Sequence, residues 1–240
     1  MQIRPFAIER FYERWEFRAE LMLSSSDCES RTVEELLELE PDARERLLGM
    51  RLGYTEVPGS QELRAAVAGG YERAAAEDVL TLAAAEEGIF LVYHALVEPG
   101  DHVVVETPCY GSAVEVARST GARVSLWHRR HEEGWAHDLD ELERLLEADT
   151  RAIYINSPHN PTGTQMTGET FERVVELAGE PGGGARRLYG GFRPGISAAG
   201  STGLRGAPPL SSYPGSGPTC TMPRPVARRG GAPASPPPGR

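Results

Sequence analysis

The sequence predicts an α/β fold built on a mostly parallel sheet, and three observations carry that prediction. Short apolar runs, such as the consecutive Val103, Val104 and Val105, recur along residues 1–180. Near-continuous runs of this kind mark strands buried on both faces, which occur in parallel sheets covered by helices. Between them lie segments with apolar residues at helical spacing, several opened by start signals. Strands alternating with amphipathic helices form βαβ units.

Each element follows from its own residues. Thr32 and Glu35 form a capping box ahead of Leu36 and Leu37, and Pro41 interrupts that helix. Pro58, Gly59 and Ser60 lead into a helix with Leu63, Ala66, Val67, Tyr71 and Ala74 at helical spacing. A strand over 79–82 and a helix over 85–97 come next, and Pro99-Gly100 turns the chain into a strand over 102–106. A helix over 112–119 leads to a strand over 123–127. Asp138 and Glu141 cap a helix carrying Leu139, Leu142, Leu145 and Leu146. A strand over 152–155 follows, then a helix over 167–178 with Phe171, Val174, Val175 and Ala178 on one face. No internal repeat is present.

Composition divides the 240 residues sharply near Glu180. Residues 1–180 hold all 35 acids and 17 arginines, whereas 181–240 hold 8 arginines and no acid. Glycine and proline supply 26 of those last 60 residues, against 20 of the first 180. So little apolar surface at that density of glycine and proline predicts neither helix nor strand. Two origins fit the segment: a disordered extension, or a reading frame lost near Glu180, since Arg, Gly, Pro and Ala have codons rich in G and C. The expected organisation is an N-terminal helical segment over 1–50, a partial large domain over 51–180 and a low-complexity tail over 181–240.

A formal charge of −10 argues against nucleic acid or an anionic membrane as partner of the whole chain. Cys28, Cys109 and Cys220 provide no disulfide framework and no four-cysteine zinc site. The opening residues carry charge throughout, without the apolar stretch of a signal peptide, and the apolar run over 89–97 is too short to span a bilayer. The expectation is a soluble, reduced, cytoplasmic protein. All 25 basic residues are arginine; the sequence contains no lysine.

In open α/β sheets, ligands sit beyond the carboxyl ends of the strands. That rule points to the turns over 83–86, 108–110 and 156–163. The last contains SPHNPTG at 157–163, where a proline-stiffened turn holds the Asn160 amide ready to donate a hydrogen bond.

The blocks GYTEVPGSQELR (53–64), VLTLAAAEEGIF (79–90), EPGDHVVVETPCY (98–110) and YINSPHNPTGT (154–164) together resemble fold-type-I pyridoxal-phosphate enzymes, specifically the class I/II aminotransferases. The resemblance covers about residues 45–180, extends more weakly to the N-terminus and stops at the compositional break. It implies the three-layer sandwich of the aminotransferase large domain, here incomplete. It also implies pyridoxal 5'-phosphate as cofactor, an amino acid and a 2-oxo acid as substrates, and a homodimer.

Carried over residue by residue, Ala84, Ala85 and Glu86 occupy the turn where backbone N–H groups and a helix dipole hold the cofactor phosphate. Glu86 departs from the pattern, because it brings negative charge towards a phosphate. Tyr110 matches the aromatic that stacks on the pyridine ring. Asn160 matches the asparagine that hydrogen-bonds the ring 3-oxygen, and Tyr54 the tyrosine that reaches the phosphate of the neighbouring subunit.

Equally informative is what does not match. The family chemistry needs a lysine amine to capture the cofactor and then move a proton. Arginine, with a pKa above about 12, cannot replace it. The aspartate expected against the pyridinium nitrogen has no counterpart where the chain reads GARRLYGGFRPG (184–195). The familial reaction is therefore expected to be absent from this polypeptide, with no catalytic residue assigned.

Two further readings stay open. The opening FAIERFYERWEF is similar to a branch containing capreomycidine synthase, an arginine-derived amino-acid cyclase, which implies a lyase or cyclase on the same fold. Alternatively, the domain is non-enzymatic and its arginine-rich tail, with Arg228 and Arg229, binds acidic partners. His128, His131 and His137 with Glu132 and Glu133 do not follow H-E-x-x-H spacing and read as a polar surface connection, with no metal expected. Cys109 has no assignable base.

Overall fold

The computed structural model describes residues 2–24, 30–71 and 74–179, together with the strand backbones 188–193, 196–199 and 220–223. Four short helices come first: α1 (Ala7–Trp15), α2 (Val33–Leu37), α3 (Ala43–Leu48) and α4 (Gln61–Ala68). The Thr32–Glu35 capping box forms in both directions at the start of α2. None of α1, α2 and α3 buries a residue fully. The α4 helix is shorter than its apolar spacing predicts. It stops at Ala68 because Gly69 and Gly70 follow, and Tyr71 lies beyond its end.

The βα succession then runs β1 (Val79–Leu82), α5 (Ala85–Leu96), β2 (His102–Thr107), α6 (Gly111–Ser119), β3 (Arg123–His128), α7 (Leu139–Leu145), β4 (Thr150–Tyr154) and α8 (Gly168–Gly179). Each element lies within two residues of its sequence expectation. Asp138 caps α7 by accepting from the Glu141 N–H at 2.8 Å.

A tight turn leads into α4 and is pinned to β1. Gly59 sits at φ +102°, and a Cβ there would fall 2.0 Å from the Thr81 hydroxyl oxygen. Thr81 in turn donates from its N–H and its hydroxyl to the Pro58 carbonyl, at 2.9 and 3.1 Å. Gly59→Ala should therefore cost more than about 1 kcal/mol, from left-handed strain and the clash together. A lowered urea midpoint with unchanged slope would show it.

Strands β3, β2 and β4 are parallel neighbours, in that spatial order. Alternation along β2 builds both faces. Val104 joins Trp127, Leu142, Ile153 and Val174 beneath α7 and α8. Val103 and Val105 point the other way, to Tyr93, Ala113, Val116 and Ala117 of α5 and α6. The result is three layers, helices on both faces of the sheet, as the sequence predicts.

The sheet continues through β5 (Leu188–Arg193), parallel to β4, and β6 (Ile196–Ala199), antiparallel to β5. A separate antiparallel pair joins β1 to β7 (Cys220–Pro223). Composition predicts no strand in this region, so these three are a difference. Unpaired N–H and C=O groups along β4 and β1 recruit backbone irrespective of side chains, and small residues offer little steric resistance. The remainder of the 181–240 tail lies outside the described residues.

Among the described residues, no helix is long and apolar enough to cross a membrane.

Candidate functional site

The chain leaves β2 towards α6 on one face and leaves β4 towards α8 on the other. Adjacent parallel strands whose connections diverge this way open a crevice at their carboxyl ends, the usual ligand position in such sheets. Tyr110 and the 156–163 loop both lie there, and the 83–86 turn ends β1.

Ala84 is the N-cap residue of α5 and provides no side-chain cap. The Glu87 carboxylate folds back to accept from the Ala83 N–H at 2.8 Å. Glu86 is half-buried; burial pushes its carboxyl up, the polar Ser112 hydroxyl nearby opposes this, and the nearby Glu9 charge adds to the rise. Tyr110 is the N-cap residue of α6, and its hydroxyl donates to the Glu9 carboxylate of α1. Phe6 meets the Tyr110 ring edge-on, with centroids 6.0 Å apart.

Asn160 is exposed, and its carbonyl accepts from the Asn156 side-chain amide at 3.3 Å. The loop is tied to itself. His159 N–H donates to the Thr164 carbonyl at 2.7 Å, and the His159 Nδ1, Thr162 and Thr164 side chains form a chain with 2.8 and 2.7 Å contacts. Tyr54 projects wholly into solvent, at 110% relative exposure. The structure thus places Glu9 beside Tyr110 and near Glu86, and sets Asn160 on the adjoining loop. It does not bring Tyr54 to them within one chain.

Beneath the crevice lies a buried charged cluster that sequence reasoning missed. Glu106, at 0% exposure, accepts from Arg129 at 3.0 Å and from the Asn156 N–H at 2.8 Å. His137 Nε2 lies 2.9 Å from the same carboxylate. Arg129 also donates to the Trp135 carbonyl and to the Thr164 hydroxyl, the latter at 2.6 Å. His137 is therefore not part of the polar surface connection expected of it, because Glu106 draws it inward. The available signal was the acid closing a run of three valines, since a charge in a buried strand requires partners. Glu9 had no such signal, being remote in sequence from Tyr110.

Burial alone would raise the Glu106 pKa, but hydrogen bonds from His137 and the Asn156 N–H outweigh it and hold the carboxyl below its ordinary range. Burial lowers His159, keeping that imidazole neutral. The Cys109 thiol is pushed up to about 12, by burial first and the Glu106 charge second, which leaves it unreactive near neutrality. Among the described residues, no group of three or more His, Cys, Asp or Glu is arranged to hold a metal ion.

Residues 19–183 match the family described as aminotransferase class I and II. The chain belongs to that family, whose cofactor is pyridoxal phosphate. Among individual relatives, it is 40% identical over 167 residues to capreomycidine synthase of Streptomyces vinaceus, covering 67% of this chain and 42% of that one. It is 33% identical over 162 residues to the arginine–pyruvate transaminase AruH of Pseudomonas aeruginosa, covering 65% and 40%. A PLP-dependent aminotransferase from Streptococcus suis superposes with a TM-score of 0.72 at 33% identity, over 79% of this chain and 51% of that chain. The chain thus spans about two fifths of these two curated relatives.

The residues present do not fit the cofactor in the way that family captures it. The amine required for covalent capture is missing from all 240 residues. At the turn where the resemblance puts the cofactor phosphate, the half-buried Glu86 and the neighbouring Glu9 supply negative charge. The N-terminus of α5 favours an anion; two carboxylates oppose one.

Proposed function

We propose that these residues form the first half of the cofactor-binding large domain of a pyridoxal-phosphate-dependent aminotransferase, an enzyme transferring an amino group between an amino acid and a 2-oxo acid. A polypeptide of these 240 residues does not itself carry out that transfer. The observation carrying this reading is a family crevice, furnished with Tyr110 and Asn160, in a sequence without lysine. Cofactor contacts in the crevice fall to Ala84, Ala85, Glu86, Tyr110 and Asn160. Tyr54, wholly exposed in one chain, serves the neighbouring subunit of a homodimer. The reading places the protein in the cytoplasm.

The test is chemical. Purified protein is mixed with pyridoxal 5'-phosphate, reduced with borohydride, digested and examined by mass spectrometry. We expect no adduct on any internal residue, label confined to the N-terminal amine, and no turnover of an amino donor. An internal adduct, or turnover with contaminating enzymes excluded, overturns the reading.

A second reading, a lyase or cyclase on the same fold, is favoured by the 40% identity to capreomycidine synthase against 33% to the transaminase. A substrate screen of a full-length homologue separates the two, since only transamination converts a 2-oxo acid into an amino acid.

A further inference from the structure

The Glu106–Arg129 pair holds both ends of the loop that carries Asn160. Glu106 accepts from the Asn156 N–H at 2.8 Å, and Arg129 donates to the Thr164 hydroxyl at 2.6 Å. From Thr164 the contacts run on through the Thr162 hydroxyl at 2.7 Å to His159 Nδ1 at 2.8 Å. His159 is 2% exposed, and among the described residues its Nε2 has no hydrogen-bond partner. The Pro108 carbonyl influences the ring but forms no hydrogen bond with that nitrogen.

Counting donors and acceptors gives this series of contacts a direction. Arg129 is a permanent cation that can only donate, so the Thr164 oxygen accepts from it. The Thr164 hydroxyl must then place its own proton, and among the described contacts Thr162 is the acceptor within reach. The Thr162 oxygen also receives the Thr164 N–H, at 3.4 Å. With both lone pairs engaged, Thr162 donates to His159 Nδ1. A neutral imidazole whose Nδ1 accepts carries its proton on Nε2. The opposite order would leave the Thr164 hydroxyl proton without an acceptor at a half-buried position, which is unfavourable.

We propose that the buried Glu106–Arg129 pair is a tautomer lock: through Thr164 and Thr162 it keeps His159 in the Nε2–H form, so that the loop presents a hydrogen-bond donor at Nε2 and never an acceptor. The pair thus decides which chemistry is admitted there. A group seated against Nε2 must offer a lone pair, as a carbonyl, carboxylate or phenolate oxygen does, whereas an ammonium or guanidinium is refused. Glu106 and Arg129 are positioning residues in this, acting through the two threonines. The lock stands whether or not the chain takes up pyridoxal phosphate.

Long-range proton–nitrogen NMR spectra of the full 240-residue chain, labelled with 15N in histidine, read the tautomer of each ring. Loss of one set of signals in His159→Gln assigns that residue. Near neutrality, where burial keeps this ring uncharged, the unaltered chain should show the Nε2–H pattern alone. Thr162→Val removes the donor to Nδ1, and the double variant Glu106→Leu, Arg129→Met removes the source of the polarity. In each, the Nδ1–H form should appear, the ratio of Nε2–H to Nδ1–H falling about tenfold, the worth of one modest hydrogen bond. His102, held by Thr150 and Ser125 at 2.8 and 2.9 Å, lies outside this series and serves as an internal reference.

An Nδ1–H ring at His159 in the unaltered chain overturns the lock. So does an unchanged ratio in Thr162→Val with the His102 signals in place, which would leave the tautomer to the ring's own preference. If the His102 signals move in the double variant, its fold has given way, and Thr162→Val alone decides.

Discussion

Glu106→Ala is expected to destabilise the fold by about 3–5 kcal/mol, the usual cost of removing one partner from a buried ion pair. The size follows from what is left behind. Arg129, whose side chain is only 2% exposed, would keep its charge and lose its carboxylate. His137 and the Asn156 N–H would lose their acceptor in the same step. Glu106→Gln preserves shape and one acceptor oxygen, so it should cost less. The double variant Glu106→Leu, Arg129→Met removes both charges and should recover much of the loss. Urea unfolding of the three proteins measures this directly, and a double-mutant cycle isolates the pairing.

The same cluster sets the direction of pH dependence. Glu106 has a folded pKa below its unfolded value, so its contribution is complete above the ordinary carboxylate range and is lost as pH falls through the depressed value. His159 is held neutral. Its unfolded form takes up a proton first, so stability begins to fall once pH drops below the ordinary imidazole range. Both effects weaken the fold on acidification, the histidine at milder pH. Glu106→Gln should retain the histidine step and lose the carboxylate one.

Trp127→Ala should cost a similar amount, about 3–5 kcal/mol, for a different reason. Trp127 is fully buried on β3, under α7 and beside Val104 and Ile153. Its indole N–H donates to the Asp138 carbonyl at 2.8 Å, and Asp138 is the residue that caps α7. Truncation thus opens a cavity and removes a hydrogen bond at the point where α7 begins. Trp127→Phe fills most of the space and loses chiefly the bond, so about 1 kcal/mol plus a smaller cavity cost is expected. If both variants unfold at the same urea midpoint, packing at this position is not what holds α7 to the sheet.

Local rules made much of this architecture legible in advance. Asp138 with Glu141, and Thr32 with Glu35, announce helix starts because capping needs only residues three apart. The valine run on β2 announces a doubly covered strand because both faces must be apolar. The family blocks locate Tyr110 and Asn160, and strand order then explains why their loops meet. Illegible were features that depend on distant partners. His137 looks like a surface histidine until Glu106, on β2, is placed beneath it. Glu9 looks like any helix-surface acid until α1 is laid on Tyr110. The strands of the tail were missed because composition describes what side chains can bury, whereas an open strand edge asks only for main chain.

The divergence of the chain at β2 and β4 bears on how the crevice is born. Its two walls belong to stretches separated by the whole β3–α7 excursion, so neither wall means anything until β4 returns to lie against β2. A nascent chain that has completed β2, α6 and β3 possesses Tyr110 but no facing loop. The crevice is thus a product of the long-range β2–β4 pairing and has no form before it.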